Sequence, residues 1–320
     1  MIRKYFFILL LFLPLLNFAF DRQALSFQKS PFRELLPNST VKRIFQDHNG
    51  YIWLGTESGI CRYDGYKLHV IKSNIDQPNL LTSGNILCIA EDQKNRMWFG
   101  TDRGVNIIDE NNQIIPLITD KRIQNIRINS ILCDSNGKVW IGSENGLFLY
   151  NSKTNTIKSY CHTDNPMSLP GNNINHIFKD RAGNIWIAMW KDGLCRFDNK
   201  HENFIAMPKF GKENNPFNIF QDNDGIFWIG TWADGLFRVD VSQSIDFPEY
   251  TQYIRNNNDP SSIGQNSVYS IVQDNISGNL WILSQNGLSI ISDRKNVKFE
   301  NINALDIFSD ASNFLNHIIE

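Results

Sequence analysis

Short apolar runs recur along most of this chain, with polar residues set among them at period two. The runs are separated by clusters of Asp, Asn and Gly, the pattern of β-strands joined by tight turns. The runs also repeat as a unit: an apolar strand ending in Asp, a short turn, a strand containing Trp, then Gly and a third strand. Val41-Lys-Arg-Ile-Phe-Gln-Asp47 with Tyr51-Ile-Trp53-Leu-Gly55 reappears as Phe217-Asn-Ile-Phe-Gln-Asp222 with Ile226-Phe-Trp228-Ile-Gly230. Aligned on the tryptophan, the copies fall at Trp53, Trp98, Trp140, Trp186, Trp228 and Trp281, spaced by 45, 42, 46, 42 and 53 residues. A period in this range marks a repeat architecture.

The residue types fit their places in the unit. Asp47-His-Asn-Gly50, Asp134-Ser-Asn-Gly137, Asp180-Arg-Ala-Gly183 and Asp222-Asn-Asp-Gly225 read as hairpins joining strand A to strand B. Asp accepts local backbone N–H bonds there, and Gly or Asn takes positive φ. Gly59, Gly104, Gly146, Gly193, Gly235 and Gly287 open strand C, and a variable strand D follows, as at Lys67–Ile71 and Thr251–Arg255. Short, evenly spaced strands with one bulky aromatic per unit predict wedge-shaped sheets stacked radially. The expected fold is an all-β propeller over residues 21–320, with blades near 41–73, 86–118, 128–161, 174–206, 217–255 and 268–300 and the repeated tryptophans as core wedges.

The ends modify this picture. Leu315-Asn-His-Ile-Ile-Glu320 aligns with Ile174-Asn-His-Ile-Phe-Lys179, so a seventh strand A is expected there, and Ala24–Gln28 reads as a lone strand. The expectation is therefore a seven-bladed ring cut short, with exposed edges that make the chain incomplete or aggregation-prone. Before the propeller, Arg3 and Lys4 precede an uncharged apolar run from Tyr5 to Phe20. That is the layout of a signal peptide over residues 1–20, or of an amino-terminal anchor, since the run falls short of the roughly 20 residues that span a bilayer.

Composition narrows the chemistry. With 31 Lys+Arg against 33 Asp+Glu and no basic run, nucleic acid is not an expected partner. Five cysteines without a CxxC pair indicate neither a disulfide framework nor a zinc site. No cofactor or metal is expected. His48, His69, His162, His176, His201 and His317 are scattered, and no nucleophile elbow or zinc-protease helix occurs, so no catalytic residue is assigned.

Candidate binding residues come from loops that vary between blades. The B–C loops of blades 4 and 5, Met189-Trp190-Lys191-Asp192-Gly193 and Thr231-Trp232-Ala233-Asp234-Gly235, each have an extra residue and a tryptophan that other blades lack. Adjacent blades place Trp190 beside Trp232, where indoles stack on sugar rings and Lys191, Asp192 and Asp234 bond hydroxyls. The competing reading is loop packing, or docking of another domain. Four residues before the turn Asp stand Arg43, Cys88, Ser130, His176, Asn218 and Ser270, mostly polar residues suited to a wet channel wall. His176 and His317 would face each other across a seven-bladed ring, and a histidine lining water is the simpler account of each.

The repeat wording Phe45-Gln-Asp47-His-Asn-Gly50-Tyr-Ile-Trp53-Leu-Gly55-Thr-Glu-Ser-Gly59-Ile-Cys-Arg-Tyr63-Asp64-Gly65-Tyr66 resembles the two-component regulator propeller family over residues 24–320. The resemblance implies the periplasmic sensor region of a hybrid histidine kinase, one that recognises oligosaccharides and relays the signal to a kinase that these residues do not contain. Expected partners are an oligosaccharide or other small ligand and the receptor's remaining sensor and kinase domains, with a homodimer left open. Two other readings stay open: a protein-interaction scaffold, and an enzyme like the streptogramin lyases, whose blades look similar.

Overall fold

A computed structural model of the chain describes residues 33–73, 81–111, 113–116, 121–246, 248–285 and 287–303. Among them are six four-stranded antiparallel sheets, each formed by four consecutive strands. Blade 1 is β1 (Val41–Gln46), β2 (Ile52–Thr56), β3 (Ile60–Tyr63) and β4 (Leu68–Ile71), and blade 2 is β5 (Ile86–Glu91), β6 (Met97–Thr101), β7 (Gly104–Ile108) and β8 (Ile114–Pro116). Blade 3 comprises β9 (Ile128–Cys133), β10 (Lys138–Ser143), β11 (Gly146–Asn151) and β12 (Thr156–Tyr160); blade 4 comprises β13 (Ile174–Lys179), β14 (Ile185–Met189), β15 (Gly193–Asp198) and β16 (Asn203–Ala206). Blade 5 holds β17 (Pro216–Gln221), β18 (Phe227–Thr231), β19 (Leu236–Asp240) and β20 (Glu249–Tyr253), and blade 6 holds β21 (Val268–Gln273), β22 (Leu280–Ser284), β23 (Gly287–Ile291) and β24 (Glu300–Asn303). The propeller is therefore all-β with six complete blades. Strand D of blade 5 ends at Tyr253, two residues short of the expected Arg255. The signal or anchor segment, the strand at 24–28, and the seventh strand A with His317 lie outside the described residues.

The hairpin Asp and the strand-B Trp form one device. In blade 1 the Asp47 Oδ1 accepts the main-chain N–H groups of Asn49 and Tyr51 at 3.0 and 2.9 Å, while Oδ2 accepts from Trp53 Nε1 at 2.7 Å. Trp98, Trp186 and Trp228 make the same bond to Asp92, Asp180 and Asp222 at 2.8, 2.9 and 2.8 Å. One carboxylate thus closes the A–B turn and supplies the acceptor that a buried indole N–H requires. Blade 3 departs from this: Asp134 holds its turn, but the buried Trp140 Nε1 has no acceptor.

The tryptophans of blades 1 to 5 each pack forward onto the next blade. Trp53 lies among Ile86, Met97 and Phe99 of blade 2, and Trp228 lies among Val268, Leu280 and Ile282 of blade 6. Five apolar clusters of this kind join blades 1 to 6 in series. Trp281 of blade 6 faces the side where no described blade lies, and it is only half-buried, whereas the other five are buried. Of the cysteines, Cys61, Cys88 and Cys195 are buried free thiols, Cys133 is half-buried and Cys161 is exposed.

Candidate functional site

The six A strands line the central channel, and all six carry a bulge at the same place. The ladder skips Lys42, Leu87, Asn129, Asn175, Phe217 and Tyr269, the second residue of each strand. A bulge leaves its residue unpaired and re-aims its side chain. This set accordingly lies at one end of the channel, and five of its members, all but Lys42, line a cavity of about 230 Å3 or the 220 Å3 cavity adjoining it.

The first cavity is bounded by Arg43, Leu87, Arg127, Asn129, Glu144, Asn173, Asn175, Trp190 and Phe217. The second reaches deeper, past Cys88, Ser130, His176, Asn218 and Tyr269, and shares Arg43, Asn129, Asn175 and Phe217 with the first. Five of the six residues four before the turn Asp, all but Ser270, therefore line this part of the channel. Residues of both sets tie blade to blade: Ser130 Oγ accepts the Ile177 N–H at 3.0 Å, and the bulged Asn129 and Asn175 donate to the carbonyls of Ile174 and Pro216 at 2.8 and 3.0 Å.

Trp190 and Trp232 stand side by side, their ring centroids 5.6 Å apart and their planes at 71°. The B–C loops are held in place from below, since the N–H groups of Trp190 and Trp232 donate to the carbonyls of Asn173 and Asn215 at 2.8 and 3.1 Å. Two further aromatics complete the group. Phe217 lies 5.8 Å from Trp232, and Tyr269 lies 5.9 Å from Trp232 and 6.0 Å from Phe217. Sequence reasoning missed both, although the column of bulged residues, Lys, Leu, Asn, Asn, Phe, Tyr, held the signal: no core position tolerates that range.

The polar candidates divide. Lys191 and Asp192 are exposed, with Lys191 at φ 66° and its N–H bonded to Asn215 Oδ1. Asp234 is buried, and its Oδ2 accepts the Glu213 N–H at 2.8 Å, so this carboxylate braces the loop before β17 and does not face the mouth. His176 lies in the channel wall away from Trp232, and its Nδ1 accepts the Ile219 N–H at 3.2 Å.

Burial pushes the His176 imidazole down to about 4, and the positive charge of Arg43 adds to the effect. A histidine with a depressed folded-state value is protonated more readily in the unfolded chain. Its contribution to stability is complete above about pH 6.5 and declines as pH falls towards about 4. The melting temperature of the wild type is expected to fall across this window faster than that of His176→Asn, by the slope of about one proton. Parallel curves for the two proteins would show that His176 stays protonated in the fold.

The two component regulator propeller model matches residues 35–58, 80–103, 122–145, 168–191 and 211–233. No curated protein sequence matches the chain. Among solved structures, the extracellular domain of a putative one component system of B. thetaiotaomicron superposes with a TM-score of 0.69 at 21% identity, over 87% of this chain and 39% of that one. The extracellular domain of a putative hybrid two component system from the same organism gives 0.69 at 22% identity, over 85% of this chain and 35% of its own. Virginiamycin B lyase from Staphylococcus aureus gives 0.61 at 14% identity, over 81% of this chain and 83% of its own. These likenesses establish the propeller fold, and the chain spans well under half the length of the two extracellular domains. The five matched repeats fall on blades 1 to 5, four of which make the Asp–Trp bond described above, and the chain belongs to the two-component regulator propeller family.

Proposed function

We propose that this propeller is the ligand-sensing part of an exported two-component receptor, that it holds an oligosaccharide at the channel mouth, and that a kinase outside this chain receives the signal. The observation that carries the reading is the aromatic group of Trp190, Phe217, Trp232 and Tyr269 beside the polar cavity. Trp232 keeps 42% of its surface exposed although it touches three other rings. Large aromatics left open at the rim of a concave polar site are suited to a ligand with apolar faces and hydrogen-bonding edges. A pyranose ring has both. The 71° corner between the indoles takes one sugar face against one ring and the sugar's edge against the other. Family membership and the likeness to two extracellular domains of putative one component and hybrid two component systems support an exported sensor.

Calorimetric titration of the chain against a panel of oligosaccharides tests the reading. The double variant Trp190→Ala, Trp232→Ala is expected to weaken binding by about tenfold or more, the loss of two aromatic contacts of roughly 1 kcal/mol each. Unchanged affinity in a variant that melts normally would remove the aromatic corner from the site.

A further inference from the structure

We propose that the channel mouth is an oxyanion site, in which Arg43 and Arg127 hold a carboxylate or sulfate group on the ligand that Trp190 and Phe217 flank. The inference rests on the ligand-sensing reading and adds the charge of the ligand to it. Arg43 projects from the third position of β1 and lines both cavities. Its Nη1 donates to the Lys42 carbonyl at 2.7 Å, and among the described residues no acidic side chain pairs with it. Arg127, just before β9, lines the same mouth; its Nε donates to Asn129 Oδ1 at 2.9 Å, and it too lacks an acidic partner among the described residues.

Three other arginines of this propeller are neutralised by carboxylates. Arg96, Arg196 and Arg294 meet Asp92, Asp246 and Asp224 at 2.6, 2.6 and 2.7 Å. Glu144 is the one carboxylate among the residues bounding the mouth cavity, and its Oε1 receives the main-chain N–H of Arg127 at 3.4 Å, not the guanidinium. The mouth therefore has two positive charges against one negative.

Guanidinium groups match oxyanions through paired, charge-assisted N–H donors, and they exert more force inside a protein-walled cavity than in open water. Burial lowers the Arg43 value, and the charge of Arg127 adds to that against an opposing contribution from Cys88. The cavity, at about 230 Å3, is smaller than the roughly 300 Å3 at which ligand pockets usually begin. One charged end group fits it, with the rest of an oligomer leaving across Trp190 and the neighbouring rings.

The test is calorimetry at low ionic strength with three probes on the whole chain: an oligogalacturonate, its fully methyl-esterified form and inorganic sulfate. The acid is expected to bind about tenfold or more tightly than its neutral ester, which is what one charge-assisted hydrogen-bond pair supplies, and to weaken as salt rises. Sulfate competing with the acid would mark the site as one for oxyanions generally, and failure of sulfate to compete would mark it as selective for carboxylates. Arg127→Gln, at an exposed position, leaves the fold intact and is expected to abolish the preference for the acid; Arg43→Gln, checked by its melting curve, does the same. Equal affinity for acid and ester, or an acid affinity unmoved by both variants, would overturn the oxyanion site and leave the oligosaccharide reading standing. Arginine-dependent binding of sulfate without binding of either sugar would retain the oxyanion site and remove the oligosaccharide. No binding of either the acid or sulfate would overturn the oxyanion site.

Discussion

Trp228→Ala is expected to destabilise the propeller by about 3–5 kcal/mol, the cost of emptying a large buried aromatic site. The indole is fully buried at the junction of blades 5 and 6, against Leu236, Val268, Ile271, Leu280 and Ile282, and it stacks on Tyr253 at 6.3 Å. Its Nε1 also donates at 2.8 Å to Asp222 Oδ2, a fully buried carboxylate oxygen whose other cationic neighbour, Arg294 Nε, stands back at 3.6 Å, while Oδ1 holds the turn through Asp224 and Ile226. Trp→Phe separates the two effects. Trp228→Phe leaves that carboxylate short of a donor, a penalty of about 1–3 kcal/mol beyond the lost ring volume. Trp140→Phe removes an N–H that has no acceptor, so it carries no such penalty. Urea denaturation of the two Phe variants should place Trp228→Phe clearly below Trp140→Phe, and equal midpoints would show that the indole–Asp bond adds nothing to the wedge.

The blades were legible because their defining residues act within one repeat. The Asp that ends strand A and the Trp six residues later meet across one hairpin, and the Gly that opens strand C bonds through its carbonyl to the Thr or Ser that ends strand B, so their chemistry shows as spacing. The pairing of Trp190 with Trp232 was legible for a related reason, since equivalent loops of adjacent blades must lie side by side. Asp234 was not, because the same loop position that faces solvent at Asp192 is covered in blade 5 by the chain at Glu213. Phe217 and Tyr269 looked like ordinary alternating strand residues. Only the bulge in every A strand takes them out of the ladder, and a bulge has no residue requirement of its own at these positions. The unpaired charge of Arg43 and Arg127 was hidden for another reason: which cations lack a partner depends on contacts between blades.

That dependence on the neighbouring blade also sets the sign of a substitution that local reasoning would misjudge. Gly230 lies in β18 without a positive φ, so Gly230→Ala considered alone would stabilise the chain by about 0.4–1 kcal/mol through lower unfolded-state entropy. In the propeller a Cβ there would stand 2.6 Å from Val268 Cγ1 and 3.1 Å from the Val268 carbonyl oxygen, on the first residue of the next blade's strand A. Gly55, Gly100 and Gly142 face Ile86, Ile128 and Ile174 in the same way, a Cβ there standing 2.7, 2.8 and 2.6 Å from the isoleucine, and at Gly100 also against Cys88 Sγ within blade 2. A β-branched side chain cannot swing clear, and the carbonyl belongs to the backbone. The expected result is a loss of about 1–3 kcal/mol, the usual cost of overpacking. In blade 4 the corresponding residue is Ala188, and there the neighbouring strand begins at Pro216 in place of Ile or Val. If the missing side chain is what seats one blade on the next, Val268→Ala should offset part of the damage, and the double variant should be more stable than the sum of the single losses by about 0.5 kcal/mol or more. Strict additivity in the denaturation cycle, or a Gly230→Ala protein more stable than the wild type, would mean that the blades are spaced by something other than these glycines.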